Sequence, residues 1–164
     1  MGASASLTEP IVRFAKDAEW QVDGTLRNMT MLSETSQLFR EILFLDISDT
    51  NSMKEFIDTV TKRRYSGVIA LIGATSGLSL DSSVSEVRKY HEIYSSNYSF
   101  LLSQIVWRNV VQGEPGHMLV FGSRASEYGS FDIHYAATKS AVVGICRSLA
   151  RISNSPSITC LTPN

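Results

Sequence analysis

Tyr135-Ala-Ala-Thr-Lys139 sets a phenol and an ammonium four residues apart, a spacing that stacks both on one face of a helix. A free tyrosine titrates at about 10 and exchanges protons poorly near neutral pH. An ammonium within about 4 to 6 Å favours the phenolate, and a positively charged cofactor ring beside it adds to the effect. A shift of roughly three units corresponds to about 4 kcal/mol of differential interaction. Such a pair is a tuned general acid/base. Taken alone, however, the same spacing is usually an ordinary pair on a helix surface, so the elements around it must decide.

Those elements have to come from a chain of 164 residues, 43% hydrophobic, which is enough for one domain, residues 1–164, with a substantial core. The 15 basic and 16 acidic residues are spread along the chain, giving a formal charge of −1. That leaves no electrostatic case for nucleic acid or an anionic membrane surface, and points to a small-molecule ligand. No stretch approaches 18 apolar residues, and Met1-Gly-Ala-Ser-Ala-Ser6 lacks a positive segment followed by an apolar one. A cytoplasmic protein is expected. Cys146 and Cys160 sit in apolar runs without metal-ligand spacing and read as buried thiols.

Helices are expected at 9–19, with Pro10 in the first turn, and at 31–40, 52–63, 83–111 and 134–151. Strands are expected at 20–26, 41–46, 67–72, 117–121 and 157–161. Strands alternating with helices imply an α/β fold with a parallel sheet covered on both faces. Ligands of such sheets bind beyond the C-terminal strand ends. Gly2, Arg27, Asp46, Gly73, Ser123 and Pro163 all fall on that rim.

In this order, the pieces resemble the short-chain dehydrogenase/reductase family, nicotinamide-dependent oxidoreductases with a Rossmann-type, doubly wound parallel sheet. The resemblance spans nearly the whole chain. Its strongest part is His117-Met-Leu-Val-Phe-Gly-Ser123, then Tyr135 twelve residues after the serine, Lys139, and a helix ending Cys-Arg-Ser-Leu-Ala-Arg151. The family's interval from serine to tyrosine is one residue longer, so the loop between them is expected to be trimmed. Asn97, 26 residues before Ser123, matches the family's asparagine in the long helix. The resemblance implies that Tyr135 exchanges a proton with a carbonyl or secondary-alcohol oxygen as hydride moves. Lys139 would lower the tyrosine pKa and bind the nicotinamide ribose, Ser123 would donate to the substrate oxygen, and Asn97 would hold a relay water.

For the cofactor, the resemblance implies NADP, with NAD as the alternative. Gly2-Ala-Ser4-Ala-Ser6-Leu7-Thr8 lines up with the glycine-rich turn, although Ser6 and Thr8 stand where the family has its second and third glycines. Arg27 replaces the acidic residue that takes a ribose 2′-hydroxyl, which favours a 2′-phosphate. Asp46 and Ile47 match the positions beside adenine, and the family's Asn-Asn-Ala-Gly appears as Ile72-Gly73-Ala74-Thr75. Pro163 matches the proline after the last strand here. Tyr135 and Lys139 belong to the cofactor set as well. Only Met1 precedes the turn, so the family's first, central strand is largely missing, and the segment that closes over substrate would lie past Asn164. Either the chain is part of a longer one or a partner covers the gap. A homodimer or homotetramer is the family's habit. The altered turn motivates an alternative, a non-catalytic dinucleotide-binding sensor or structural protein on the same fold.

Overall fold

The computed structural model describes residues 5–27, 37–112, 116–152 and 157–163. The chain forms α1 (Ala5–Asp17), β1 (Asp23–Leu26), β2 (Glu41–Phe44), α2 (Thr50–Val60), β3 (Gly67–Ala70), α3 (Val84–His91), a π-helical segment (Glu92–Asn97), α4 (Tyr98–Gln112), β4 (His117–Phe121), α5 (Ala125–Tyr128), α6 (Ile133–Leu149) and β5 (Ser157–Leu161). Local chemistry sets several starts. The Asp49 carboxylate accepts from the Asn51 amide at 2.9 Å to cap α2, and Ser83 with Glu86 forms a reciprocal capping box on α3. The helix expected over 31–40 falls largely outside the described residues.

Two expectations are corrected at the N-terminus. α1 begins at Ala5 and not Glu9, so Ser6, Leu7 and Thr8 are helical where a turn was expected, and Pro10 lies inside the helix. Without glycine between residues 5 and 9, nothing in this stretch favours a left-handed turn, and Ala5 and Leu7 are good helix formers. The long helix expected over 83–111 is present but widens at its Ser- and Tyr-rich middle, where the Tyr98 amide bonds to the Ile93 carbonyl five residues back. The short α5 was not expected.

Among the described residues, all strand pairs are parallel, and they divide into two sheets, β1–β2 and β3–β4–β5. The wider sheet is in register from Gly67 opposite His117 and from His117 opposite Ser157. One core lies where α4 and α6 cover this sheet, with Leu102, Val106, Met118, Val120 and Val142 almost fully buried. A second lies between α2 and α4, around Met53, Ile57 and Leu101. Burying each such side chain stabilises the fold by about 1.5–3 kcal/mol before ordering costs.

Between the two sheets lies a cavity of about 420 Å³. Gly24 of β1 and Val68 and Ile69 of β3 form its sides, with Ile11 of α1 and Leu102 of α4 against it. Below the gap the halves are tied by a polar cluster. The Asp23 carboxylate accepts from Arg40 Nε at 2.8 Å and the Tyr65 hydroxyl at 2.8 Å, while Glu41 accepts from Arg63 Nη1 at 2.6 Å. The Arg40 guanidinium holds the Asp23 carboxyl below the usual carboxylate range.

Candidate active site

β4 runs out at Phe121, and Gly122 and Ser123 turn over the rim toward α6. From the second turn of α6, Lys139 reaches back into this rim and is buried, 6% exposed. Its Nζ donates to the Phe121 carbonyl at 3.2 Å and to the Ile72 carbonyl at 3.3 Å, so one ammonium joins the ends of β4 and β3. Nζ stands 5.7 Å from the centroid of the Tyr135 ring, which is partly exposed. Desolvation lowers the Lys139 pKa from its ordinary value. Position 73 has to be small for this arrangement. A Cβ there would stand 2.5 Å from Lys139 Nζ and 3.0 Å from its Cε, so Gly73 clears the space the ammonium occupies.

Ser123 sits two residues past the carbonyl that Lys139 holds. Its hydroxyl oxygen accepts from the Ala125 amide at 3.2 Å at the start of α5, which leaves the hydroxyl hydrogen available for donation. Asn97 closes the π-helical segment, and its Nδ2 donates to the Ile47 carbonyl at 2.8 Å. Widened turns of this kind recur at functional sites. Here the turn ties the long helix to the end of β2. Arg27 and Asp46, from the ends of β1 and β2, meet at 3.4 Å, and the arginine side chain stays 70% exposed. Desolvation opposes ionisation of Asp46, but hydrogen bonds from the Ser48 hydroxyl and amide outweigh it and lower its pKa.

Tyr135, Lys139, Gly73 and the Ser123 turn therefore meet at one rim, with Arg27, Asp46 and Ile47 at the neighbouring one. Ala74 is exposed, and its carbonyl accepts from the Tyr90 hydroxyl at 2.7 Å. Pro163 is exposed just past β5. Gly2 and Ser4 lie outside the described residues, and Ser6 and Leu7 are in the first turn of α1.

The sequence pattern of the short chain dehydrogenases matches residues 2–162. The chain belongs to the short-chain dehydrogenase family. Among curated relatives, this short-chain dehydrogenase is 24% identical over 119 residues to the 3-oxoacyl-[acyl-carrier-protein] reductase MabA of Mycobacterium bovis, covering 70% of the chain and 47% of the relative. It is 26% identical over 122 residues to the reductase FabG of Salmonella typhimurium, covering 71% and 49%. The chain thus spans about half the length of these relatives. Solved structures share its fold. A short-chain dehydrogenase from Streptomyces avermitilis aligns with TM-score 0.78 at 20% identity, over 94% of this chain and 60% of that one. A short-chain dehydrogenase from Sphingobium yanoikuyae in complex with NADPH aligns with TM-score 0.72 at 19% identity, over 85% and 58%. The Rossmann-type α/β expectation holds. Among the described residues of this short-chain dehydrogenase, no helix is long and apolar enough to cross a membrane.

Sequence reasoning passed over one residue beside Tyr135. Asp132 caps α6, accepting from the Tyr135 amide at 2.9 Å, and also holds Ser76 of the loop after β3. An aspartate just before an apolar helical run is a recognisable cap, so the signal was present. Tyr128 and Phe131 are exposed, with Arg124 over the Tyr128 ring at 4.8 Å. His134 packs on His91, Nε2 of His91 standing 3.1 Å from Nδ1 of His134.

Proposed function

We propose that this short-chain dehydrogenase is an oxidoreductase that interconverts a carbonyl and a secondary alcohol with a nicotinamide dinucleotide, NADP rather than NAD. The observation that carries the reading is the Lys139 ammonium, desolvated and fixed between two strand-end carbonyls beside the Tyr135 ring. The residues fit such a cofactor. Gly73 keeps the backbone beside Lys139 open, and the Arg27 guanidinium is exposed at the neighbouring rim, where it can meet a 2′-phosphate. When bound, the dinucleotide supplies or takes the hydride.

The chain's own residues do the rest. Tyr135 gives its phenolic proton to the carbonyl oxygen, or takes the alcohol proton in reverse, with the Lys139 ammonium beside its ring. Ser123 donates its hydroxyl hydrogen to the same oxygen, where charge develops in the transition state. Asn97, anchored through Nδ2, keeps Oδ1 available to accept from a relay water. The relatives named 3-oxoacyl-[acyl-carrier-protein] reductases make β-keto esters and thioesters the first substrates to try. Phe100 and Trp107, seven residues apart on α4 and both about half exposed, support a homodimer or homotetramer built through that helix. The cytoplasmic and single-domain readings follow the same family.

Purified protein is expected to bind NADPH, followed by nucleotide fluorescence, and to oxidise it with a β-keto ester. Tyr135→Phe is expected to lower kcat at least about 1000-fold while leaving NADPH affinity within about threefold, as removal of an acid/base group should. The helical Ser6 and Leu7, where a turn was expected, favour a second reading, a dinucleotide-binding sensor without turnover. NADPH binding with no turnover in either form would select it.

A further inference from the structure

The loop between β3 and α3 has no regular structure over residues 71–79, yet it is held at three points. Lys139 Nζ donates to the Ile72 carbonyl at 3.3 Å, the Tyr90 hydroxyl donates to the Ala74 carbonyl at 2.7 Å, and Asp132 holds Ser76. The third contact is the most elaborate. Asp132 Oδ2 accepts from the Ser76 amide at 2.6 Å, and Oδ1 accepts from the Ser76 hydroxyl at 2.5 Å and from the Tyr135 amide at 2.9 Å. The Gly77 amide also favours the charged form of this carboxylate. Gly77 has φ +63°, a left-handed conformation that turns two consecutive amides toward one anion.

Asp132 and Lys139 are seven residues apart, two turns on one face of α6, or about 10.5 Å of rise. Ile72 and Ser76 are four residues apart, at most about 14 Å of extended chain. The two spans match, so the loop lies along α6 in the opposite direction and its exposed middle, Gly73–Thr75, passes the turn that carries Tyr135.

We propose that Asp132 is a positioning residue that sets the distance between the Gly73–Thr75 wall and Tyr135 by clamping Ser76 and Gly77 to the first turn of α6. Its effect on turnover rests on the acid/base reading of Tyr135, but the clamp itself does not. Both can be tested on the full chain. Amide exchange at Ser76 and Gly77 is expected to rise at least about tenfold in Asp132→Ala, with Val120 in β4 unchanged. With NADPH and an acetoacetate ester as probe, kcat is expected to fall about 10- to 100-fold in Asp132→Ala, with KM for NADPH within about threefold. Ser76→Ala should fall less, and the double variant should be no slower than Asp132→Ala, because both act through one contact. Should Asp132→Ala fail to fold, Asp132→Asn keeps an oxygen for the Tyr135 amide, sets an amide against Ser76, and is read by the same two measurements. Wild-type exchange at Ser76 and Gly77 in these variants, or faster exchange with unchanged kcat, overturns the proposal. An inactive wild-type protein would count against the acid/base reading, while the exchange rates would still decide the clamp.

Discussion

Lys139 is central to the proposed chemistry, and its surroundings say what it tolerates. Burial makes its charge costly, so the ammonium is kept only by facing two carbonyls, and both come from strand ends that the fold must place. Gly73 belongs to this arrangement as firmly as Tyr135 does. Gly73→Ala would drive a methyl into the ammonium, and the lysine end, pinned twice, has to give way. The expected result is a loss of about 1–3 kcal/mol in denaturant unfolding and a fall of at least about tenfold in kcat, through displacement of Lys139 from Tyr135. At this scale the sequence was legible for Tyr135 and Lys139, whose helical spacing is local. Gly73 read only as an altered cofactor wall, because the atom that requires a glycine there lies 66 residues away.

α3 and α6 meet through His91 and His134, next to Tyr135, and this contact makes their packing sensitive to pH. Burial, and second the neighbouring His134, lowers the His91 pKa from its ordinary 6.5. The unfolded chain therefore takes up the proton first as pH falls. Stability is full above about 6.5, declines as pH drops through that value toward the lower folded pKa, and levels off below it. Urea unfolding between about pH 7.5 and 5 is expected to show this decline, and His91→Gln to reduce it. Element types were largely readable from periodicity and turn residues, as the strands at 117–121 and 157–161 show. The π-helical turn was not. Its spacing reads as an ordinary helix, and only the Tyr98 amide bonded five residues back to the Ile93 carbonyl marks it out.

In the whole molecule, the dominant feature is the slot between the two sheets. Ser66 accepts from the His117 amide at 3.1 Å, so alternation along β3 turns the Gly67 and Ile69 backbone groups toward the cavity. An added parallel strand of apolar residues would bond them and fill the gap, at about 4.8 Å from each neighbour. Fusing a six-residue Val- and Ile-rich segment ahead of Met1 is expected to raise Tm by at least about 5 °C, the shift that roughly 2 kcal/mol gives a domain of this size. A Gly-Ser segment of equal length should leave Tm unchanged. Equal melts for both would show that the slot does not take a strand. Trp20 lines the cavity, so tryptophan fluorescence reports its filling independently.

The sequence by itself determined the alternation of strands and helices, the positions of Arg27, Asp46 and Ser123 just past strand ends, and the family to which these spacings belong. Each rests on local periodicity or on short intervals, which a linear chain displays directly. Tertiary structure alone decided that Lys139 spans the ends of β3 and β4, that Gly73 clears its space, that Asp132 reaches Ser76, and how far the two sheets stand apart. Those contacts join residues 18 to 67 positions apart, and they depend on burial and on where backbone carbonyls point once strands have paired.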